Sequence, residues 1–386
     1  MTTKQAKPKA EVVDGVIYLI DENGNRQKYV LLLGIDDGHS HIKIYGGLHP
    51  LTNEPILFKI PSKASVGLTL TSDNQDKVDS QVVTVNNNHY TVSDIVSNPI
   101  DTRTADYPLS DFNKALIHQC LSLAERNGIL PIVEDHEIYA TTGLPVDLFY
   151  SGPQRNNQLI EDKVEFLKNG DLVFNHLDKR ESKNPFKFIE HAVFCEAQAA
   201  YFDACMTDDG NLTEIGADLL EFGAGILDIG GRTTDCLVSA PGGQTFFRER
   251  TTTLKLGVLT LFDNIRDRIK VKLGNNSTIN AKFLDKAIRT GSYGLTGNSI
   301  DVSDIIAEEK LAMAVNIKNF SDKHIGDGSD LAGVICVGGG AIFLKEELQK
   351  CMPNLIFVDH SEYANARGFY KMARHIYALQ DKAINP

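Results

Sequence analysis

Two short apolar runs in this chain each end in an aspartate followed by a glycine turn, and they lie far apart. Tyr29 to Gly38 reads YVLLLGIDDG; Gly225 to Gly231 reads GILDIGG and continues through Arg232, Thr233, Thr234 and Asp235. Continuous apolar runs of this length predict strands buried on both faces. Each places a carboxylate at the strand's carboxyl end, beside glycines that let a phosphate approach the backbone. A third run, VICVGGGA from Val334 to Ala341, repeats the strand-then-glycine theme without the acid. Asp36 and Asp228 hold equivalent places in two halves of an α/β chain, the pattern of an internal duplication that holds a nucleotide between its halves. The period is too long for a solenoid repeat.

A chain of 386 residues exceeds one ordinary core, so two domains are expected. The divisions expected are an extension over 1–28, a first domain over 29–216 to which 357–386 return, and a second over 217–356. No apolar run approaches the roughly 18 residues that span a bilayer. The amino-terminal MTTKQAKPKAEVVDG has no apolar core of a secretory signal, so a soluble, cytoplasmic protein is expected, with no membrane partner. A net charge of −12 argues against broad nucleic-acid binding, which needs Lys and Arg to neutralise phosphates; it leaves a local basic patch open. Cys120, Cys195, Cys205, Cys236, Cys336 and Cys351 form no C-x-x-C pair, so buried thiols are expected rather than disulfides or zinc.

Along the chain, residues 1–10 read as a tail and Asn23-Gly24-Asn25 as a hairpin turn. Strands are expected at 42–45, 138–142 and 188–194, with β-rich stretches at 55–70 and 81–96. The clearest early helix is 110–127, capped by Ser110 or Asp111 and stopped by Gly128. Residues 155–169 mix loop with helix, and 196–206 is an alanine-rich helix. In the second half a hairpin is expected at 225–238, helices at 257–270 and 303–320, a variable polar stretch at 272–300, a flexible loop at 322–330 and a final helix at 363–379.

A nucleoside triphosphate is anionic and carries magnesium. A carboxylate facing it repels phosphate but can hold the hydrated ion, because magnesium keeps most of its waters. Asp36 and Asp228 are therefore candidates to hold magnesium through water. Backbone N–H groups of Gly38-His39-Ser40 and of Gly230-Gly231-Arg232-Thr233 are the candidate phosphate ligands. Hydroxyls of Ser40, Thr233 and Thr234 add donors, and Lys43 is placed to reach a β-phosphate. A single apolar-Asp-x-Gly is an ordinary β-turn cap; two in equivalent positions favour the functional reading. Glu196 follows a strand and opens a helix, where it either orients the attacking water or only complements the helix dipole. Gly338, Gly339 and Gly340 are either a packing turn or a bare surface for the adenosine, with Ile342 and Phe343 beside the purine. There is no G-x-x-x-x-G-K-[ST] and no G-x-S-x-G, and His39-x-His41 is a poor zinc signal.

This order of motifs resembles the actin-like ATPase superfamily, and within it the bacterial plasmid-segregation actins of the ParM or StbA family. Ile35-Asp36-Asp37-Gly38 with Ile42-Lys43 is similar to the first phosphate loop, and Leu227 to Gly231 with Thr233-Thr234-Asp235 to the second. Thr142-Gly143-Leu144-Pro145, then Tyr150, Asn156-Asn157, Ile160 and Lys163, resembles a segment more particular to these proteins. Leu256-Gly257-Val258, Val337 to Ala341 and Asn365 to Gly368 also fit. The resemblance implies an α/β fold of two RNase H-like domains flanking a nucleotide cleft. It implies ATP with magnesium (GTP left open), hydrolysis with Glu196 positioning water, and self-assembly into dynamic filaments. It also implies plasmid segregation through a centromere-binding adaptor protein, with no direct nucleic-acid contact, in a bacterial cytoplasm. Arg232 stands where relatives commonly have glycine or no residue, and the extension before Tyr29 is longer than usual. A small-molecule kinase with Asp147 as base, a chaperone-like ATPase and a cell-shape or organelle-positioning actin are the competing readings. The chain stops at its last helix, which disfavours the chaperone, and residues 1–28 do not read as a membrane-binding segment, which disfavours the last.

Overall fold

The structure, a computed structural model, describes residues 9–14, 16–21, 23–67, 82–94, 96, 98–131, 136–152, 154–169, 172–174, 186–274 and 277–380. The chain divides into two compact units, Met1–Ala217 with Tyr363–Pro386, and Asp218–Glu362.

The first unit opens with a small antiparallel sheet of β1 (Lys9–Val13), β2 (Val16–Ile20) and β3 (Arg26–Lys28). The expected turn at Asn23-Gly24-Asn25 forms: the Asp21 carboxylate accepts the Asn23 and Asn25 N–H groups, and Gly24 takes a φ of 83°. Residues 9 and 10, read as tail, instead pair with Ile20 and Leu19, drawn into the strand by the ladder that Val12 and Val13 begin. Residues 1–8 lie outside the described residues.

The main sheet has the order β14–β10–β4–β5–β6, with β4 (Leu31–Asp37), β5 (His41–Leu48), β6 (Pro55–Pro61), β10 (His136–Leu144) and β14 (Phe186–Cys195). β10 runs parallel to both β4 and β14, and β4, β5 and β6 are antiparallel. Beside it lie a sheet of β7 (Ala64–Val66), β8 (Val82–Val85), β9 (Asn88–Val92) and β13 (Leu172–Phe174), and a short hairpin, β11 (Tyr150–Ser151) with β12 (Gln154–Arg155). Asn86 and Asn87 turn β8 into β9 with φ of 48° and 65°, the conformation for which asparagine is favoured after glycine. Of the two β-rich stretches expected, residues 68–70, 81 and 95 lie outside the described residues.

Helix α1 (Asp111–Arg126) starts at Ser110, whose hydroxyl accepts the Asn113 N–H. It buries Ala115, Leu116, Cys120 and Ala124 against Leu33, Ile35, Ile42 and Ile44 of the sheet. α2 (Val146–Phe149), α3 (Asn157–Lys168) and α4 (Glu196–Cys205) follow. The segment 155–169 is more regular than expected, because Asn156 caps α3 through the Leu159 N–H. The last helix of the chain lies against β4 and α4. The contact is backbone to backbone: a Cβ on Gly34 would stand 1.9 Å from the Ala366 carbonyl oxygen, and one on Gly368 2.0 Å from that of Ala199.

The second unit repeats the plan. Its sheet has the order β17–β16–β15–β20–β21, with β15 (Gly225–Ile229), β16 (Thr234–Val238), β17 (Thr252–Leu254), β20 (Val334–Val337) and β21 (Leu355–Phe357). β20 is parallel to β15 and β21, while β15, β16 and β17 are antiparallel. Strand order and sense thus match β14–β10–β4–β5–β6 read from the other edge, which is the structural form of the duplication. Helix α5 (Gly216–Phe222) leads in, and α6 (Val258–Leu273), α7 (Ala281–Thr290), α8 (Ser303–His324), α9 (Gly339–Phe343) and α10 (Lys345–Cys351) complete the unit. The described residues end with α11 (Ala364–Gln380), the helix already placed on β4.

Two readings of the second half are corrected. The polar stretch 272–300 contains α7 and an antiparallel hairpin, β18 (Ser292–Leu295) and β19 (Asn298–Asp301). Asn280 caps α7 through the N–H groups of Lys282 and Phe283, Gly291 stops it at a φ of 73°, and Phe283, Leu284, Ala287 and Ile288 join the core. Residues 322–324 belong to α8, not to a loop, because Arg250 donates to the carbonyls of His324 and Ile325 and pairs with Asp330. Cys120, Cys195, Cys205, Cys236 and Cys336 are buried free thiols and Cys351 is half-buried. Among the described residues no helix is long and apolar enough to cross a membrane.

Candidate functional site

In the first unit three parallel strands end on one edge of the sheet: β4 at Asp36-Asp37, β10 at Thr142-Gly143-Leu144 and β14 at Cys195, one residue before Glu196. Ligands of open α/β sheets bind at such carboxyl ends. Asp36 is 5 % exposed and accepts from the Lys43 ammonium at 2.6 Å. The hairpin register sets Lys43 opposite Asp36, so the lysine expected to reach phosphate is held on the first carboxylate.

The Gly38-His39-Ser40 turn is fixed through its carbonyls. That of Gly38 accepts from the hydroxyls of Ser62 (2.6 Å) and Tyr107 (3.2 Å), that of His39 from Thr102 (2.9 Å), and that of Ser40 from the Ser62 N–H (2.9 Å). The His39 ring lies 4.7 Å from that of Tyr107 and its Nδ1 meets the Thr102 carbonyl at 2.7 Å. Ser40 Oγ is 2.8 Å from His41 Nδ1, on an imidazole that burial, with Lys43, Lys59 and Lys63 nearby, pushes down to about 4.

Asp37, which the sequence reading passed over, anchors the strand end. Both its oxygens accept from the Lys163 ammonium (3.0 and 2.8 Å), and Asn113 donates to it at 3.0 Å. The same ammonium donates to the Gly143 carbonyl at 2.6 Å, so one buried cation ties β4, β10 and α3 together. His191 on β14 lies beside this pair. Its Nε2 is 2.9 Å from the Thr142 hydroxyl, and burial, opposed by the bond to the Val164 carbonyl, lowers its pKa to about 4.

Glu196 is half-buried at the first position of α4. A Cβ on Gly143 would stand 2.7 Å from its Cγ and 2.3 Å from the Phe369 ring. Glycine in the T-G-L-P segment therefore makes room for the glutamate and for α11. Asp147, the candidate base of the kinase reading, is exposed on α2.

In the second unit Asp228 is the penultimate residue of β15 and is 3 % exposed. The Gly230 N–H donates to the Thr233 carbonyl at 2.8 Å, closing the turn. The Gly230 and Gly231 carbonyls accept the Val258 and Leu259 N–H groups of α6 at 3.1 and 2.9 Å, so the carbonyls of this turn face the helix. Gly257 lets the two approach, since a Cβ there would stand 2.5 Å from the Gly231 oxygen. The protons of Thr233 and Thr234 are committed elsewhere: Thr233 Oγ1 donates to Asp235 at 3.1 Å and Thr234 Oγ1 to the Leu256 carbonyl at 2.8 Å. Donors from this turn are thus backbone groups, and the two hydroxyls brace it. Arg232 is half-buried in the turn.

Asp235 stands opposite Asp228 in the ladder, on the same face. Like charges directly opposite disfavour a sheet, and hydroxyls of Thr233 and Thr253 (2.5 Å) offset this at Asp235. Gly338 follows β20 with a φ of 89°, and a Cβ there would stand 2.5 Å from Asp228 Oδ1 and 2.4 Å from the Ile229 carbonyl. A Cβ on Gly340 would stand 2.2 Å from Ile229 Cγ2, and one on Gly339 would meet nothing within 4 Å. Ile342 on α9 is 51 % exposed. Phe343 is half-buried and packs edge-on to Phe262 at 5.5 Å, against the unit's core.

The structure thus gathers Asp36, Gly38, His39, Ser40 and Lys43 on one hairpin and sets Glu196 on the same sheet edge. It gathers Asp228, Gly230 to Thr234 and Gly338 to Gly340 on the matching edge of the second sheet. Two sheets of one strand order, each with an acid-tipped central hairpin, decide the architecture. The chain has the actin-like fold. A ParM filament of fifteen strands from Clostridium botulinum superposes with a TM-score of 0.67 at 22% identity, over 90% of this chain and 99% of that one. A non-polymerisable quadruple mutant of pCBH ParM gives 0.68 at 23%, over 90% and 100%. An archaeal actin homologue gives 0.68 at 16%, over 90% and 100%. The family model for the C-terminal part of archaeal MreB-like actin homologues matches residues 226–350, within the second unit of this actin-like fold. No curated protein sequence matches the chain.

Proposed function

We propose that this chain is an ATPase that assembles with magnesium–ATP into filaments and loses them on hydrolysis. The observation that carries this is the repeated acid-tipped turn at the carboxyl ends of two matching sheets. Structures of the same fold support it: one is a ParM filament, and the archaeal homologue has also been solved in complex with ADP. The residues fit such a ligand. Asp36, held by Lys43, and Asp228, opposite Asp235, offer buried carboxylates suited to a hydrated ion, and the turns at Gly38 and Gly230 have their carbonyls drawn away by Ser62, Tyr107, Thr102 and α6. Gly338 and Gly339 leave bare backbone where a purine nucleoside can lie.

In this reading Asp36 and Asp228 hold the magnesium waters, and the N–H groups of Gly38-His39-Ser40 and Gly231-Arg232-Thr233 take the phosphates, the Gly230 N–H being spent on the Thr233 carbonyl that closes the turn. Lys43 exchanges part of its bond to Asp36 for a phosphate oxygen. Bound magnesium would neutralise charge developing on the transferred group. Glu196 orients the attacking water. The resemblance to segregation actins extends the reading to plasmid partition through a DNA-bound adaptor protein in a bacterial cytoplasm.

Calorimetric titration with magnesium–ATP tests the site. Asp228→Ala is expected to weaken binding at least about tenfold, the loss of one charge-assisted contact of about 1.5–3 kcal/mol, with a smaller loss when magnesium is omitted. Equal affinity in the variant and the parent overturns the assignment.

A further inference from the structure

The second unit carries a cationic surface that the proposed nucleotide site does not use. Between Arg266 and Arg289 the chain has seven basic and two acidic residues, in a protein of net charge −12. Arg266 and Arg268 are neutralised by Asp263, Asp267, Glu308 and Glu309. Lys272 donates to the Asp301 carbonyl and lies near that residue's carboxylate, and Lys286 donates to the Gly294 carbonyl. Lys270, Lys282 and Arg289 are exposed and make no ion pair among the described residues. On α7 Lys282, Lys286 and Arg289 are spaced i, i+4, i+7 and so share one face. Exposed Val271, Leu273 and Leu295 (67, 38 and 62 % exposed) lie among them, at the end of α6 and the tip of the β18–β19 hairpin. The acids in this neighbourhood include Asp285, Asp301 and Asp304, of which Asp301 is bonded to Ser303.

The first unit carries the complement. From Glu190 to Ala217 there are six acidic residues and no lysine or arginine. In the loop after α4, Asp209 and Glu214 are exposed beside Leu212, which is 49 % exposed. Tyr45 Oη donates to Asp208 at 2.5 Å, and a Cβ on Gly47 would stand 2.4 Å from Tyr370 Oη. These contacts bring the β5–β6 tip, with exposed Leu48, Leu51 and Glu54, to the same side. Arg374 and Lys371 offset part of this charge.

We propose that the Lys270–Lys282–Arg289 surface of one copy docks on the Glu54–Asp209–Glu214 surface of a second copy. The two patches differ, so the contact is heterologous, the kind that repeats into an open filament rather than closing on a dimer. Each pairs one sign of charge with exposed aliphatic side chains. Aliphatics rather than stacking aromatics favour a protein partner over nucleic acid. The inference rests on the filament reading for its consequence, though not for the contact itself.

The test uses two full-length charge reversals, K270E/K282E/R289E and E54K/D209K/E214K, none of them at the candidate nucleotide site. Each alone sets like charges against each other and is expected to raise the concentration needed for ATP-dependent pelleting by about tenfold or more. Mixed in equal amounts, their surfaces alternate in sign, and pelleting is expected to return. Either variant pelleting like the parent, or a mixture that stays in the supernatant, overturns the contact. If the parent itself does not pellet, the filament reading fails. Analytical ultracentrifugation of the mixture in low salt then decides the contact: a complex absent from either variant alone supports it, and two independent monomers reject it. Retention of duplex DNA by the parent, lost in K270E/K282E/R289E while pelleting is unchanged, would reassign the surface and also overturn the proposal.

Discussion

At the scale of the residue, the candidate turns depend on buried charges satisfied inside the protein. Lys163 and Asp37 are both 4 % exposed in their side chains, and the lysine also holds the Gly143 carbonyl. Removing one partner of such a pair strands the other charge without water. Lys163→Met is expected to destabilise the first unit by about 3–5 kcal/mol, a large share of an ordinary domain's stability. Urea unfolding followed by circular dichroism measures this, and adding Asp37→Asn should recover part of the loss through a non-additive cycle. A change below about 0.5 kcal/mol would mean that the ammonium does not hold the strand end. This pair was not legible in the sequence. Asp36 announces itself by local context, an apolar run ending in an acid and a glycine. Asp37 meets its cation 126 positions away. Ser62, Thr102 and Tyr107, which hold the carbonyls of the first turn, are ordinary loop residues until the chain has folded.

At the scale of the element, strands and their turns were readable where pattern is local. β4, β10, β14 and β15 end at or close to the positions that their apolar runs indicate, and Glu196 opens α4 as its place between a strand and an alanine-rich run suggests. α7 was hidden because its polar surroundings mask one short apolar face, although Asn280 and Gly291 are ordinary start and stop signals. The strand order that matches the two sheets is a tertiary property, and only the paired aspartates hinted at it. Helix packing was equally silent in composition. α11 meets α4 through Gly368, where a Cβ would stand 2.0 Å from the Ala199 oxygen and 2.9 Å from its Cα. Neither neighbour is a side chain that can swing aside, so Gly368→Ala must push two helices apart. Overpacking of this kind costs about 1–3 kcal/mol. Thermal unfolding should show the corresponding fall in midpoint, and an unchanged midpoint would contradict the close approach.

At the scale of the whole molecule, the actin-like fold follows from two units of one topology, while activity and assembly are carried by the reading of their turns. That reading makes nucleotide state and polymer state one variable. Sedimentation of the purified protein with magnesium and ATP, GTP, ADP or no nucleotide, with phosphate release followed in the same samples, tests it most directly, alongside Glu196→Gln. Pelleting is expected to need a triphosphate and to decay as phosphate appears. In Glu196→Gln phosphate release is expected to slow about a hundredfold, the lower range for a lost general-base contribution, with polymers that persist. Protein that binds ATP and stays in the supernatant with every nucleotide, or polymer whose lifetime is the same in Glu196→Gln, would contradict that reading.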